Sequence, residues 1–323
     1  MNSASKSIQF GLVLTAVAML CGAAALFSSK SRDLAIREAK TEHDQLASRH
    51  AASELLARSF HADNQLSYSA LSSTVAYVGG RSLESKAQIT RAPHHLAIKM
   101  LSGPMSGVQS GYSDRWFWRQ DVGQPVKPYA EASLDANQMA SRRFDLLSKN
   151  YIASLVGVEK LDGRPAHIVE LWPAQPVEGA KGPARRLYID SESGLTLRVD
   201  AFNCELKPVM HSTLSKVDLH PALKANTFEP PSAIMASLKK SDWRGEEMGS
   251  NFKAAADKTG FEPPQPQYLP PGFELDGYGI HRCRTTGILQ LAAFSRYSDG
   301  LNSLMVFAFK PVNQKVEKSM RGM

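Results

Sequence analysis

Residues 151–200 read YIASLVGVEK LDGRPAHIVE LWPAQPVEGA KGPARRLYID SESGLTLRVD, and this stretch decides the fold. Ile152 to Lys160 and Arg164 to Trp172 are rich in β-branched and aliphatic residues. Leu161-Asp162-Gly163 lies between them, and Asp-Gly is a strong hairpin signal because both residues tolerate positive φ. Arg185 to Asp190 meets Leu195 to Phe202 across Ser191-Glu192-Ser193-Gly194. In that fourth run Leu195, Leu197, Val199 and Ala201 alternate with Thr196, Arg198, Asp200 and Phe202, the period of a strand with one apolar face. The expectation is an antiparallel meander with no catalytic motif threaded through it.

On the N-terminal side the period is also two. Leu71, Ser73, Val75 and Tyr77 share one face of a strand that ends at Gly79-Gly80. Leu83 to Ile89 returns, Arg91-Ala92-Pro93 breaks, and Leu96, Ile98 and Met100 mark a third strand. Val108 to Tyr112 and Trp116-Phe117-Trp118 follow. Ser133 to Leu147 reads as a helix with Ser133 as N-cap. A strand from Val209 to Leu219 closes the series of nine or so. Two helices cannot cover such a sheet, so it either closes on itself or leaves a groove. A half-open barrel with an apolar interior suits a lipid or hydrophobic peptide. Tyr77, Met100, Met105, Trp116, Phe117 and Trp118 are the candidate lining, although each is also an ordinary core residue type.

Further upstream, Ser31 to Phe60 holds no Gly or Pro and reads as one helix. Its apolar residues thicken only after Ala51, which suggests an exposed stalk followed by a packed end; a coiled-coil partner helix is the alternative. Ile8 to Phe27, between Lys6 and Lys30, is long enough to span a bilayer or to serve as a secretory signal cut near Ala23-Ala24-Ala25. Either reading puts the rest of the chain outside the cytoplasm.

Downstream, Pro263-Pro264-Gln265-Pro266 is a stiff spacer. Beyond it Ile288 to Tyr297 and Leu304 to Phe309 are strands joined across Ser298-Asp299-Gly300. Two or three strands hold no core of their own, so this piece is expected to dock on the first domain, to dock on another chain, or to be cut short. The domain reading is 1–30 signal or anchor, 31–60 stalk, 61–229 half-barrel, 230–266 linker and 267–323 a small C-terminal α+β unit.

With 323 residues, 43% hydrophobic and 21% charged, the chain buries a core easily. The net charge of +7 comes from Lys and Arg scattered singly or in pairs, which argues against nucleic acid and leaves a weak attraction to anionic lipid. Three cysteines are too few for a disulfide scaffold; Cys204 and Cys283 either pair or stay as thiols. No nucleophile elbow, zinc-protease helix or phosphate loop is present, and Ser237-Leu238-Lys239-Lys240 is a weak Ser-x-x-Lys match. No enzyme, metal or cofactor is expected.

Tyr151 to Trp172, then Arg186-Leu187-Tyr188-Ile189-Asp190 and Ser193-Gly194-Leu195, resemble the N-terminal domain of the MucB/RseB proteins, periplasmic regulators of the envelope-stress sigma factor. Leu269-Pro270-Pro271-Gly272-Phe273 and Tyr297-Ser298-Asp299-Gly300-Leu301 are similar to the start of their C-terminal domain. The resemblance implies an α+β fold: an antiparallel half-barrel of the LolA/LolB kind covered by helices. It also implies a partner, the periplasmic domain of an anti-sigma factor of the RseA/MucA kind, and a lipid or lipopolysaccharide ligand. A LolA-type lipid or lipoprotein carrier is the alternative.

Overall fold

The computed structural model describes residues 29–112, 117–123, 127–129, 136–175, 179–224, 226–229, 245–249, 252–285 and 288–309. The apolar stretch Ile8–Phe27 and the helix start at Ser133 lie outside them. Among the described residues no helix is long and apolar enough to cross a membrane. The described residues divide after His50 into two units.

Helix α1 spans Ser29–Gln65. In the second unit eleven strands form one antiparallel sheet. They are β1 (Tyr68–Val78), β2 (Arg81–Ala92), β3 (His95–Ser102), β4 (Gln109–Tyr112), β5 (Phe117–Gln120) and β6 (Lys127–Tyr129), then, after helix α2 (Ala136–Asn150), β7 (Tyr151–Leu161), β8 (Arg164–Pro173), β9 (Arg185–Asp190), β10 (Thr196–Phe202) and β11 (Pro208–Asp218). The order is β6-β5-β4-β3-β2-β1-β11-β10-β9-β8-β7, so β1 and β11 join two meanders and the sheet stays open. A second sheet has the order β12-β13-β14-β15: β12 (Gly245–Gly249), β13 (Glu274–Thr285), β14 (Ile288–Ser298) and β15 (Ser303–Phe309), with α3 (Phe252–Thr259) between β12 and β13.

The turns form where the sequence puts them. Asp162 and Gly163 both have positive φ (47° and 84°), as the two-residue hairpin between β7 and β8 requires. Two expectations need correction. The C-terminal sheet has four strands, not two or three. Gly277, Gly279 and a run of polar residues give β13 little intrinsic strand preference, and it forms because β12 and β14 supply a neighbour on each side. The simple alternation along β10 is also broken. Thr196 pairs with Ile189 but Arg198 with Tyr188, a bulge that returns Val199 to the same face as Thr196.

Two buried clusters form the core; Tyr68, Ala70, Ala166, Tyr188, Leu195 and Leu197 make one, and the other lies under the helices. Ala52 and Leu56 of α1 and Leu147 of α2 pack on Ala153, Val169, Leu171 and Ile189, which are buried across β7, β8 and β9. Polar atoms fix the helix there: Ser59 Oγ lies 2.7 Å from Thr196 Oγ1, and Arg58 donates to the Asp190 and Ser191 carbonyls.

Candidate functional site

Residues paired across an antiparallel sheet share a face, so the register maps each face in rows. One row runs Leu171, Arg185, Ala201, Met210, Ala76 and Leu83. Helices cover its β7–β9 end. On the β1–β4 half the same face carries small and apolar residues: Ser72 pairs with Ala87 and Ala87 with Met100, while Ala70 leads through Ile89 to Ile98. Ala70 and Ala87 are buried, Ala70 with Ile89 packed against it in the second core cluster, and Ser72, Ile98 and Met100 are half-buried. A run of small and branched side chains with few charges forms a shallow apolar floor, the kind of surface that takes an acyl chain.

Of the six residues expected to line a ligand, the structure places Met100 on this floor. Tyr77 alternates with Ala76 and Val78, so it stands on the opposite face and is exposed. Trp118 pairs with Gly111, which leads through Ala97 and Thr90 to Ser69, again on the opposite face. Its indole is buried, donates to the Phe228 carbonyl at 2.9 Å, and fills the space a side chain at Gly111 would need. Met105 is exposed in the β3–β4 turn, 3.9 Å from Arg119 Nη2. Phe117 pairs by backbone with Tyr112, and Trp116 lies outside the described residues.

The opposite face carries charge. Arg186 binds Glu170, whose carboxylate also accepts from Trp172 Nε1 at 3.2 Å. Arg198 bonds both oxygens of buried Asp200 and stacks 4.6 Å above the Tyr188 ring. Asp200 Oδ1 lies 2.6 Å from His211 Nδ1, and His211 Nε2 lies 3.0 Å from Thr213 Oγ1. Burial pushes the Asp200 carboxyl up, but the Arg198 and His211 bonds outweigh it and hold the group below the usual range. The order hydroxyl, imidazole, carboxylate is that of a nucleophile relay. Arg198, however, already bonds both oxygens of Asp200, so the carboxylate is shared with a fixed cation. It is a cross-strand network that fixes the β9–β11 register. Among the described residues no group of three or more His, Cys, Asp or Glu side chains could hold a metal ion. Cys204 is an exposed free thiol.

The joint between the two sheets could not be read from the sequence. The turn Ser298–Asn302 is wedged against the start of β7 and the end of α2, where Leu301 joins the core. Tyr151 donates to Asp299 Oδ2 at 2.7 Å, Arg185 to Asn302 Oδ1 at 3.0 Å, and Asn150 Nδ2 to the carbonyls of Gly272 and Asp299 at 2.9 and 3.1 Å. Asp299 Oδ1 also accepts from the backbone of Leu301 and Asn302, which shapes the turn. Lys149 pairs with Glu274, and Arg142 reaches the Leu275 carbonyl. Burial, then the bond to Asp299, pushes the Tyr151 phenol well above its ordinary value. A neutral phenol is thus favoured in the folded state, so this contribution is complete below pH 10 and is lost as pH rises above it. Tyr151→Phe is expected to cost about 1 kcal/mol at neutral pH and to flatten the alkaline fall in stability, measured by urea unfolding between pH 8 and 11.

The MucB/RseB N-terminal domain family matches residues 51–232. The chain belongs to the MucB/RseB family. The MucA/MucB complex structure from Pseudomonas aeruginosa is 17% identical and superposes with a TM-score of 0.50 over 80% of this chain and 79% of that one. MucB in complex with MucA(peri) is 18% identical, with a TM-score of 0.46 over 80% of each chain. A LolA superfamily protein from Nitrosomonas europaea is 10% identical, with a TM-score of 0.27 over 55% of this chain and 97% of that one. No curated protein matches the chain in sequence.

Proposed function

We propose that this chain is a periplasmic regulator of the envelope-stress sigma factor, binding the periplasmic part of an anti-sigma factor and sensing a lipid or lipopolysaccharide. Membership of the MucB/RseB family carries the reading, and the second sheet, held by a network of side chains rather than a free linker, supports it. The locked joint gives a partner one composite surface instead of two independent ones. Regulation and carriage, not catalysis, fit a site made of an apolar floor and a structural polar network. The apolar stretch Ile8–Phe27 would hold the protein at the inner membrane if uncut. A full-length mass from isolated membranes agrees with that; a mass starting near Leu26 overturns it.

The test of the partner is direct. A single-span anti-sigma factor from the same envelope should co-purify with the chain in detergent, and its periplasmic segment should bind in isolation. Absence of both overturns the regulator reading. The shallow apolar floor independently favours the second reading, a LolA-type carrier, which would retain lipid but capture no anti-sigma factor.

The ligand surface has its own expected outcome. Met100→Asp or Ile98→Asp places a carboxylate where an acyl chain would lie, and desolvating it costs a few kcal/mol. Binding of a fluorescent fatty-acyl probe should weaken at least tenfold, while Tyr77→Asp, on the other face, leaves it unchanged.

A further inference from the structure

The geometry points to the end of the large sheet that bears the β1–β2, β3–β4 and β10–β11 turns as a surface that docks on a lipid bilayer. Three observations carry this. First, the turns lie side by side. A side chain at Gly103 would strike Ser85, one at Gly107 would meet Val122 at 2.7 Å, and Met210 beside the β10–β11 turn pairs with Ala76. Second, their tips are apolar and open. Val78 and Val122 are 61% and 67% exposed, and Leu83, Leu101, Met105 and Leu206 are exposed with them. Side chains added at Gly79, Gly80 or Gly123 would meet nothing. Six exposed apolar side chains gathered at one end, five in or beside these three turns and Val122 just after β5, differ from the singly scattered ones any surface carries. Third, the charge suits anionic headgroups. Glu84, Asp121 and Glu205 are each paired with a base. Arg81 at the tip has no ion-pair partner among the described residues, and the whole chain carries +7. Apolar tips flanked by net positive charge bind the membrane interface through burial and headgroup attraction together.

The rim also continues into the apolar floor. Val78 and Leu83 lie on the same face as Ala87 and Met100, and Arg81, paired with Val78, is the charge beside that path, so an acyl chain leaving a bilayer at the rim meets the floor next to a base that can hold its headgroup. This role as an entrance rests on the lipid-sensing reading above; the docking itself does not.

The full chain carrying Cys21→Ser and Cys283→Ser is labelled with an environment-sensitive fluorophore at Cys204, the exposed thiol in the β10–β11 turn. A second protein, with Cys204→Ser and Glu192→Cys added, carries the label in the β9–β10 turn. That turn lies at the far end of β10, on the order of 20 Å away. Each is mixed with phosphatidylethanolamine–phosphatidylglycerol vesicles containing doxyl-labelled lipid. The rim label should shift to the blue and lose at least half its emission, the Glu192→Cys label should do neither, and Val78→Ser with Leu83→Ser and Val122→Ser should abolish the rim effect. A vesicle-bound protein whose rim label stays in water, or equal quenching at both ends, overturns the proposal. Native mass spectrometry separates the two readings. Retained lipid with an unquenched rim overturns bilayer docking and leaves lipid sensing standing; a quenched rim with no retained lipid does the reverse.

Discussion

Gly300→Ala should separate the two sheets while each keeps its strands. Gly300 has φ +91°, and an added Cβ would lie 2.7 Å from Leu147 Cα and 2.8 Å from the Arg143 carbonyl. Both are backbone atoms of α2, which cannot step aside as a flexible side chain would. The positive φ costs a non-glycine residue about 1–2 kcal/mol, and forcing the wedge outward adds about 1–3 kcal/mol. Withdrawal of the turn also strands Tyr151, Asn150 and Arg185, whose partners are all on it or beside it. The expected total is about 3 kcal/mol, or roughly 6–12 °C in Tm for a unit of this size. Differential scanning calorimetry should show one transition split into two. A single transition within 2 °C of the parent, a margin of about half a kcal/mol, would mean that the turn does not lock the joint. If the joint also forms the composite partner surface, affinity for the anti-sigma segment falls with it.

The second large effect belongs to Asp190, at the end of β9. Its side chain has no solvent exposure, yet both oxygens are occupied: Arg164 binds Oδ1 and Oδ2 at 3.1 and 2.9 Å, and Ser193 donates its backbone N–H and hydroxyl to Oδ2 at 2.9 and 2.5 Å. The carboxylate thereby closes the β9–β10 turn and ties it to the start of β8. Asp190→Ala leaves Arg164 and the turn amide without this partner, and breaking such a pair costs about 3–5 kcal/mol. Since the Arg164 side chain is about one-quarter exposed, solvent relieves part of this, and about 3 kcal/mol is the expected loss, measured by urea unfolding at pH 7. The pH dependence gives an independent check. Burial raises the Asp190 pKa, but the bonds from Arg164 and Ser193 more than offset it, so the folded value lies below the ordinary one. Stability from a depressed carboxyl is present above the unfolded pKa and is lost as pH falls through the folded one. The parent should therefore lose stability below about pH 4 more steeply than Asp190→Asn. Identical acid limbs would show that Asp190 is not held ionised by this network.

Both positions were visible in the sequence as turn residues, and neither could be weighed there. Asp190 reads as the last residue of a strand, and Gly300 as a permissive glycine in Ser298-Asp299-Gly300. Their importance comes from atoms that are remote in sequence, Arg164 and Arg58 for the first and Leu147 for the second. The candidate ligand set shows the same limit. Tyr77 and Met100 are both large, half-apolar residues on strands, but a sheet's side-chain period is two, so which of them shares a face with the helices depends on register across five strands. One bulge in β10 was enough to break an alternation that looked regular.

Local signals determined what local physics controls. Period-two patterns gave the strands of the two meanders, Asp162-Gly163 and Gly79-Gly80 gave their turns, and a run free of Gly and Pro gave α1. The same stretches carried the resemblance to the MucB/RseB family, because a family is written in its turns and strand edges as much as in its core. Tertiary structure alone decided the rest. It made a central strand of glycine-bearing β13, brought the Trp118 indole to the Phe228 carbonyl, put Tyr77 and Met100 on opposite faces, and gathered exposed apolar side chains from distant segments at one end. Each of these depends on which residues meet across long sequence separations. Those encounters are set by register and burial, quantities that no window of neighbouring residues contains.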